Sequence, residues 1–153
     1  MPLTEWDPSY NLGIKEIDEH HQKLVELLNK TYDIILYATE KRDIEQILKE
    51  LIDYTNYHFA AEERLMKENK CSGYRAHVNR HNEFKQQLNA LYAGYHSGEA
   101  FVSTDVVLFL REWLLNHILK ADIKIVSQVL PPHTSISGNS SSFSGSGTRS
   151  DSP

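Results

Sequence analysis

Four times along this chain, apolar side chains recur at alternating steps of three and four residues, and between the runs the period lapses. That spacing lines one face of an α-helix. The first stripe is Ile17, His21, Leu24, Leu28, Thr31 and Ile35, widened by Val25 and Tyr32. It predicts a helix that opens at Asp18, with the Asp18 carboxylate as N-cap, and fades near residues 38–41. The second stripe is Ile44, Ile47, Leu51, Tyr54 or Thr55, His58, Glu62 and Leu65, with Asp43 as the expected cap. A third runs on a regular heptad through Tyr74, His77, His81, Phe84, Leu88, Leu91 and Tyr95, and Gly94, Ser97 and Gly98 mark its end. The fourth is Val106, Leu110, Trp113 with Leu114, His117, Ala121 and Ile125, opening at Ser103 or Thr104 and stopping before Pro131 and Pro132. Residues 69–73, Asn-Lys-Cys-Ser-Gly, are turn formers, so the second and third helices should reverse on each other there. Four amphipathic helices with short connections predict an all-α, up-down-up-down antiparallel four-helix bundle.

The two ends read differently. Pro2, Pro8 and Gly13 break any period in residues 1–16, an irregular arm that Trp6, Leu12 and Ile14 would lay across the end of the domain. Residues 131–153 are dominated by Ser, Gly, Thr and Pro with almost nothing to bury, so a disordered tail is expected beyond a bundle domain of residues 1–130. His133 lies in that tail and is no candidate ligand.

Composition narrows the partners. A net charge of −5 over 153 residues argues against nucleic acid or an anionic membrane. The first residues lack the basic start and apolar run of a signal peptide, and the apolar run Val106–Leu110 stops at Arg111, far short of a membrane span. A lone cysteine, Cys71, has no internal partner, which suits a reducing compartment and an inert thiol. A cytoplasmic protein is expected.

The histidines change the picture. His58 and Glu62, and His77 and His81, are four apart, so each pair stacks on one helix face. With His21 on the first stripe, and His117 and Asp122 on the fourth helix, every helix carries ligand-type side chains at core positions. Antiparallel packing brings them to one level: early in helices one and three, late in two and four. Left uncompensated, each would cost on the order of several kcal/mol inside a bundle. Metal ions bound by imidazole and bridged by carboxylate remove that cost. Seven donors are too many for one four-coordinate zinc, and a set without thiolate suits iron or manganese. One spacing is awkward. His117 and Asp122 are five apart, about 140° around an ideal α-helix. Asp122 must reach in from the flank, or the helix is distorted there.

These residues resemble the hemerythrins, closely the single-domain bacterial ones. The resemblance rests on Ile17-Asp18-Glu19-His20-His21, on His58-Phe59-Ala60-Ala61-Glu62-Glu63, on His77 and His81, and on Trp113-Leu114-Leu115-Asn116-His117-Ile118 with Asp122. It covers roughly residues 5–130 and implies a non-haem di-iron site. His77, His81 and His117 would hold one iron, complete in its ligands; His21 and His58 would hold the other, with one position open to O2. Glu62 and Asp122 would bridge the two, with an oxo or hydroxo group as third bridge. Leu114 and Ile118 resemble the family's O2 pocket, and Phe59, Trp113, Leu24 and Val25 lie at helical positions that would complete it. The implied role is reversible O2 binding for transport, storage or delivery to O2-consuming enzymes, by a monomer that is not an enzyme. The alternatives are a sensor of O2 or redox state, and a di-iron peroxidase, oxidase or iron- or nitric-oxide-handling protein. Two positions depart from the family pattern: His20, where Gln is frequent, and Arg75, where Pro often follows Gly-Tyr. His21 rather than His20 falls on the apolar stripe, which leaves His20 for the outer shell.

Overall fold

The helical period materialises four times in the computed structural model, which describes residues 4–99 and 102–129. The helices are α1 (Lys15–Tyr37), α2 (Lys41–Glu68), α3 (Tyr74–Ser97) and α4 (Thr104–Asn116); α4 continues through a π-helical turn, His117–Asp122, into α5 (Ile123–Val129). Backbone angles stay right-handed helical across both junctions, so α4, the π turn and α5 form one rod. Close backbone approaches run between α1 and α2, α2 and α3, and α1 and α4, which is an up-down-up-down four-helix bundle. The α3–α4 seam is the loosest.

Each stripe faces the middle. Leu24, Leu28, Ile47, Leu51, Phe84, Leu88, Val107 and Leu110 meet in one buried cluster, with Tyr32, Ile35 and Leu91 packed on its edge. A smaller cluster of Met66, Cys71 and Ile125 closes the end where α2 turns into α3. Burial there pushes the Cys71 thiol up from its ordinary pKa, consistent with an inert thiol.

The connections follow local chemistry. At the α2–α3 turn, Cys71 N–H donates to the Met66 carbonyl at 2.9 Å, while Lys70 and Gly73 adopt left-handed φ of 51° and 78°. Gly73 takes that conformation without strain, and α3 begins at the next residue. At the other end of α3, Gly98 at φ 83° closes a Schellman turn: Glu99 N–H donates to the Gly94 carbonyl and Gly98 N–H to that of Tyr95.

Two expected caps are corrected. α1 starts at Lys15, three residues before Asp18, and the Asp18 carboxylate instead accepts from the backbone N–H groups of Leu12 and Gly13 at 2.7 and 3.0 Å. It thus ties the arm to the helix rather than capping it. α2 starts at Lys41 after Glu40, which places Asp43 inside the first turn, where its charge still suits the helix dipole. Ser103 does precede α4. The arm is less irregular than its prolines suggest: Pro8–Tyr10 form a 3₁₀ turn capped by Asp7, and Thr4 exchanges two hydrogen bonds with Asn29 of α1. The expected tail beyond residue 130, and its proline stop, lie outside the described residues. Among the described residues no helix is long and apolar enough to cross a membrane.

Leu51 is fully buried two turns before His58. Leu51→Ala should cost about 2–5 kcal/mol. Urea denaturation should show the loss, with metal content of the folded protein unchanged.

Candidate metal centre

All seven candidate ligands converge in one layer of the bundle, and all seven are buried. They form two overlapping groups able to hold metal ions: Glu62, His77, His81, His117 and Asp122 on one side, and His21, His58, Glu62 and Asp122 on the other. Both carboxylates belong to both groups, and each divides its oxygens between them. Glu62 Oε1 faces His77, His81 and His117, the last two through Nε2 at 3.2 and 3.9 Å. Its partner Oε2 faces the Nε2 atoms of His58 and His21 at 3.4 and 3.8 Å. Asp122 repeats the pattern: Oδ1 lies 3.0 Å from Nε2 of both His77 and His117, and Oδ2 lies 3.0 Å from Nε2 of His21. Five imidazoles therefore present the same nitrogen to two carboxylates that each offer one oxygen per side.

Asp122 reaches this position because of the π turn. In a helix bonded i→i+5, residues five apart come nearly into line, so the spacing that is wrong for an α-helix is right over 117–122. Of the two solutions open from sequence, the distorted helix is the one adopted.

Several atoms of the layer have no hydrogen-bond partner: His21 Nε2, Glu62 Oε2 and both Asp122 oxygens. Buried polar groups are rarely left so. Donors facing one another without hydrogen bonds fit cations placed between them. Electrostatics gives the same fit. Burial opposes charge on His21 and His77, yet the facing carboxylates of Asp122 and Glu62 outweigh it, raising both to about 9. His117 is raised by the same pair. Glu62, despite burial, is held well below the carboxylate range by His117, His21, His58 and His77. Asp122 is lowered to about 2 against both burial and the charge of Glu62. Without metal, protons on the imidazoles offset the carboxylates; a divalent cation would replace them.

Around the layer, the far nitrogens of His81 and His58 find partners, while His21 Nδ1 has none. His81 Nδ1 lies 2.7 Å from Glu63 Oε2, a carboxylate behind an imidazole of the sort that orients metal-binding histidines. The sequence pattern assigns Glu63 no role; its place beside the stripe, five residues after His58, is the available signal. His20 is not in either ligand group but touches His58 from behind. Burial lowers the His20 pKa.

Apolar walls cover the remaining sides. Leu24, Phe59, Leu114 and Ile118 are buried in the main cluster, and Val25 is buried beside His21 along α1. Phe59 stacks flat on His81, 3.7 Å between centroids, and Trp113 stacks on His117 at 4.8 Å. Those two rings therefore lie against the three-histidine side. A cleft at the loose α3–α4 seam, lined by Arg80, Trp113, Asn116, His117 and Lys120, reaches the same side from solvent.

Residues 12–129 match the family model described as the hemerythrin HHE cation binding domain. The chain belongs to the hemerythrin family. It is 34% identical to a bacteriohemerythrin of Pseudomonas aeruginosa over 129 residues, covering 84% of this chain and 83% of the relative. Against the bacteriohemerythrin of Methylococcus capsulatus the identity is 33%, over 80% of this chain and 93% of the relative. A solved wild-type hemerythrin superposes with a TM-score of 0.80 at 29% identity, over 83% of this chain and 98% of that one. Membership implies a non-haem di-iron site, and the hemerythrin layer here has the donor types and the shared carboxylates for two ions.

Because the carboxylates raise His21 and His77 to about 9, filling the site at pH 7 should release about two protons. Apparent affinity for a divalent metal should rise with pH and level off near 9. Calorimetric titration in buffers of different ionisation enthalpy checks this; metal uptake without proton release would contradict the charge balance.

Proposed function

We propose that this hemerythrin binds O2 reversibly at a di-iron centre, as a cytoplasmic, monomeric carrier, store or source of O2 for enzymes that consume it. One observation carries the reading: two carboxylates are shared by three imidazoles on one side and two on the other. With a third bridge common to both, the His77, His81 and His117 side reaches six donors and the His21 and His58 side reaches five. The shortfall leaves one position for an external ligand. Two ferrous ions would supply the electrons on which O2 binding in the family draws.

The chain's own residues then decide whether O2 leaves intact. Five imidazoles and two carboxylates donate less negative charge than carboxylate-rich di-iron sites, which disfavours high-valent iron and irreversible chemistry. Leu24, Val25, Leu114 and Ile118 exclude water and stray protons, which promote autoxidation. Glu63 behind His81, and the rings of Phe59 and Trp113, hold the three-histidine side rigid.

The deciding measurement is an iron count and visible spectrum on anaerobically reduced protein, then with O2, then degassed. Two irons per chain are expected, with an absorption band that appears with O2 and leaves on degassing. Immediate irreversible oxidation would favour the redox enzyme or sensor over the carrier. His58→Ala should deplete the two-histidine side and abolish O2 uptake; full iron content with normal uptake would refute the assignment. Leu114→Ala should admit water and speed autoxidation about tenfold, an effect of about 1.4 kcal/mol on the barrier. An unchanged rate would remove Leu114 from the pocket wall.

A further inference from the structure

His20 and His58 meet edge to face between α1 and α2, their ring planes at 89° and their Nδ1 atoms 3.0 Å apart. His58 turns its other nitrogen toward Glu62 Oε2. A metal held through that Nε2 leaves the single proton of neutral His58 on Nδ1, which must then donate to His20 Nδ1. His20 is placed for this and for little else. It is 6% exposed, and its ring packs against Tyr57 at 5.1 Å and Tyr54 at 5.9 Å between centroids. The two tyrosines touch each other at 5.6 Å, so the imidazole is wedged rather than free to swing.

The other side of the centre has a counterpart. There His81 is backed through Nδ1 by the Glu63 carboxylate. Each half thus has one imidazole with an acceptor behind it: a carboxylate in the three-histidine half, an imidazole in the two-histidine half. An acceptor behind a ligand raises its basicity and fixes its tautomer, and losing one typically costs 10–100-fold in metal affinity. An imidazole nitrogen is a stronger base than the amide oxygen that glutamine, frequent in the family at this position, would offer.

We propose that His20 is a positioning residue for the two-histidine half: it fixes the tautomer and ring plane of His58 and sets how strongly that ligand donates. This rests on reading the seven side chains as a two-metal centre, and the test separates the two ideas. Metal-free protein is titrated with Co(II), followed by its visible bands, and the iron-loaded protein is taken through a redox titration. His20→Leu removes the acceptor, and His20→Gln restores one. In His20→Leu one of the two Co(II) affinities should fall 10–100-fold with the other unchanged, and one iron potential should move positive, because weaker donation favours the ferrous ion. His20→Gln should recover most of both. If the Leu variant does not fold, His20→Phe, which keeps a ring against Tyr54 and Tyr57, carries the same comparison. Unchanged affinity and potential, equal weakening of both sites, or a Gln variant no better than the Leu or Phe one would each overturn the proposal. Wild-type protein binding fewer than two metals per chain would instead overturn the two-metal reading on which it rests.

Discussion

Two carboxylates buried at the centre of a helical bundle are the constraint on which the rest of this structure turns. Glu62 and Asp122 are essentially without solvent, and a buried charge left alone costs several kcal/mol. Five imidazoles surround them within hydrogen-bonding or ion-pair range. With metal absent, His21, His77 and His117 are pushed toward the protonated form; with metal present, their nitrogens are free to bind it. The bundle is therefore designed around a charge balance that two cations complete, and its apolar layers above and below are ordinary by comparison.

The cost of assembling the layer falls on α4. Helices α1, α2 and α3 deliver their ligands with regular spacing, but the fourth must present His117 and Asp122 together across five residues. A π turn does so by trading α-helical hydrogen bonds for i→i+5 ones over 117–122. The distortion faces α3, where the His117 ring packs against His77 and His81 at 4.6 and 4.8 Å between centroids. Fold and site are thus coupled: the irregular turn is tolerated by the packing and is what brings the second shared carboxylate inward.

Around the ligands a second layer differs between the two halves. The three-histidine half is stiffened by stacked rings and by Glu63, while the two-histidine half is backed by His20, packed against Tyr54 and Tyr57. This asymmetry parallels the division of labour that the proposed function requires, one half complete and structural, the other open to a ligand.

Much of this was determined by residue order alone. Periods of three and four residues mark the four helices because burial is their main source of stability, and His58/Glu62 and His77/His81 share faces because the helix repeats every 3.6 residues. Antiparallel order then places all seven donors at one level without further information. What the sequence left open were matters of angle and contact. Helix starts moved by three residues because Asp18 is taken up by the backbone of Leu12 and Gly13, and Asp43 falls inside a first turn where its charge still suits the dipole. Phe59 and Trp113 lie at helical positions that point to the pocket, and only packing shows them against His81 and His117. The π turn, the oxygen-by-oxygen split of Glu62 and Asp122, and the contact of His20 with His58 all depend on how helices from distant parts of the chain rotate and approach, which no local pattern encodes.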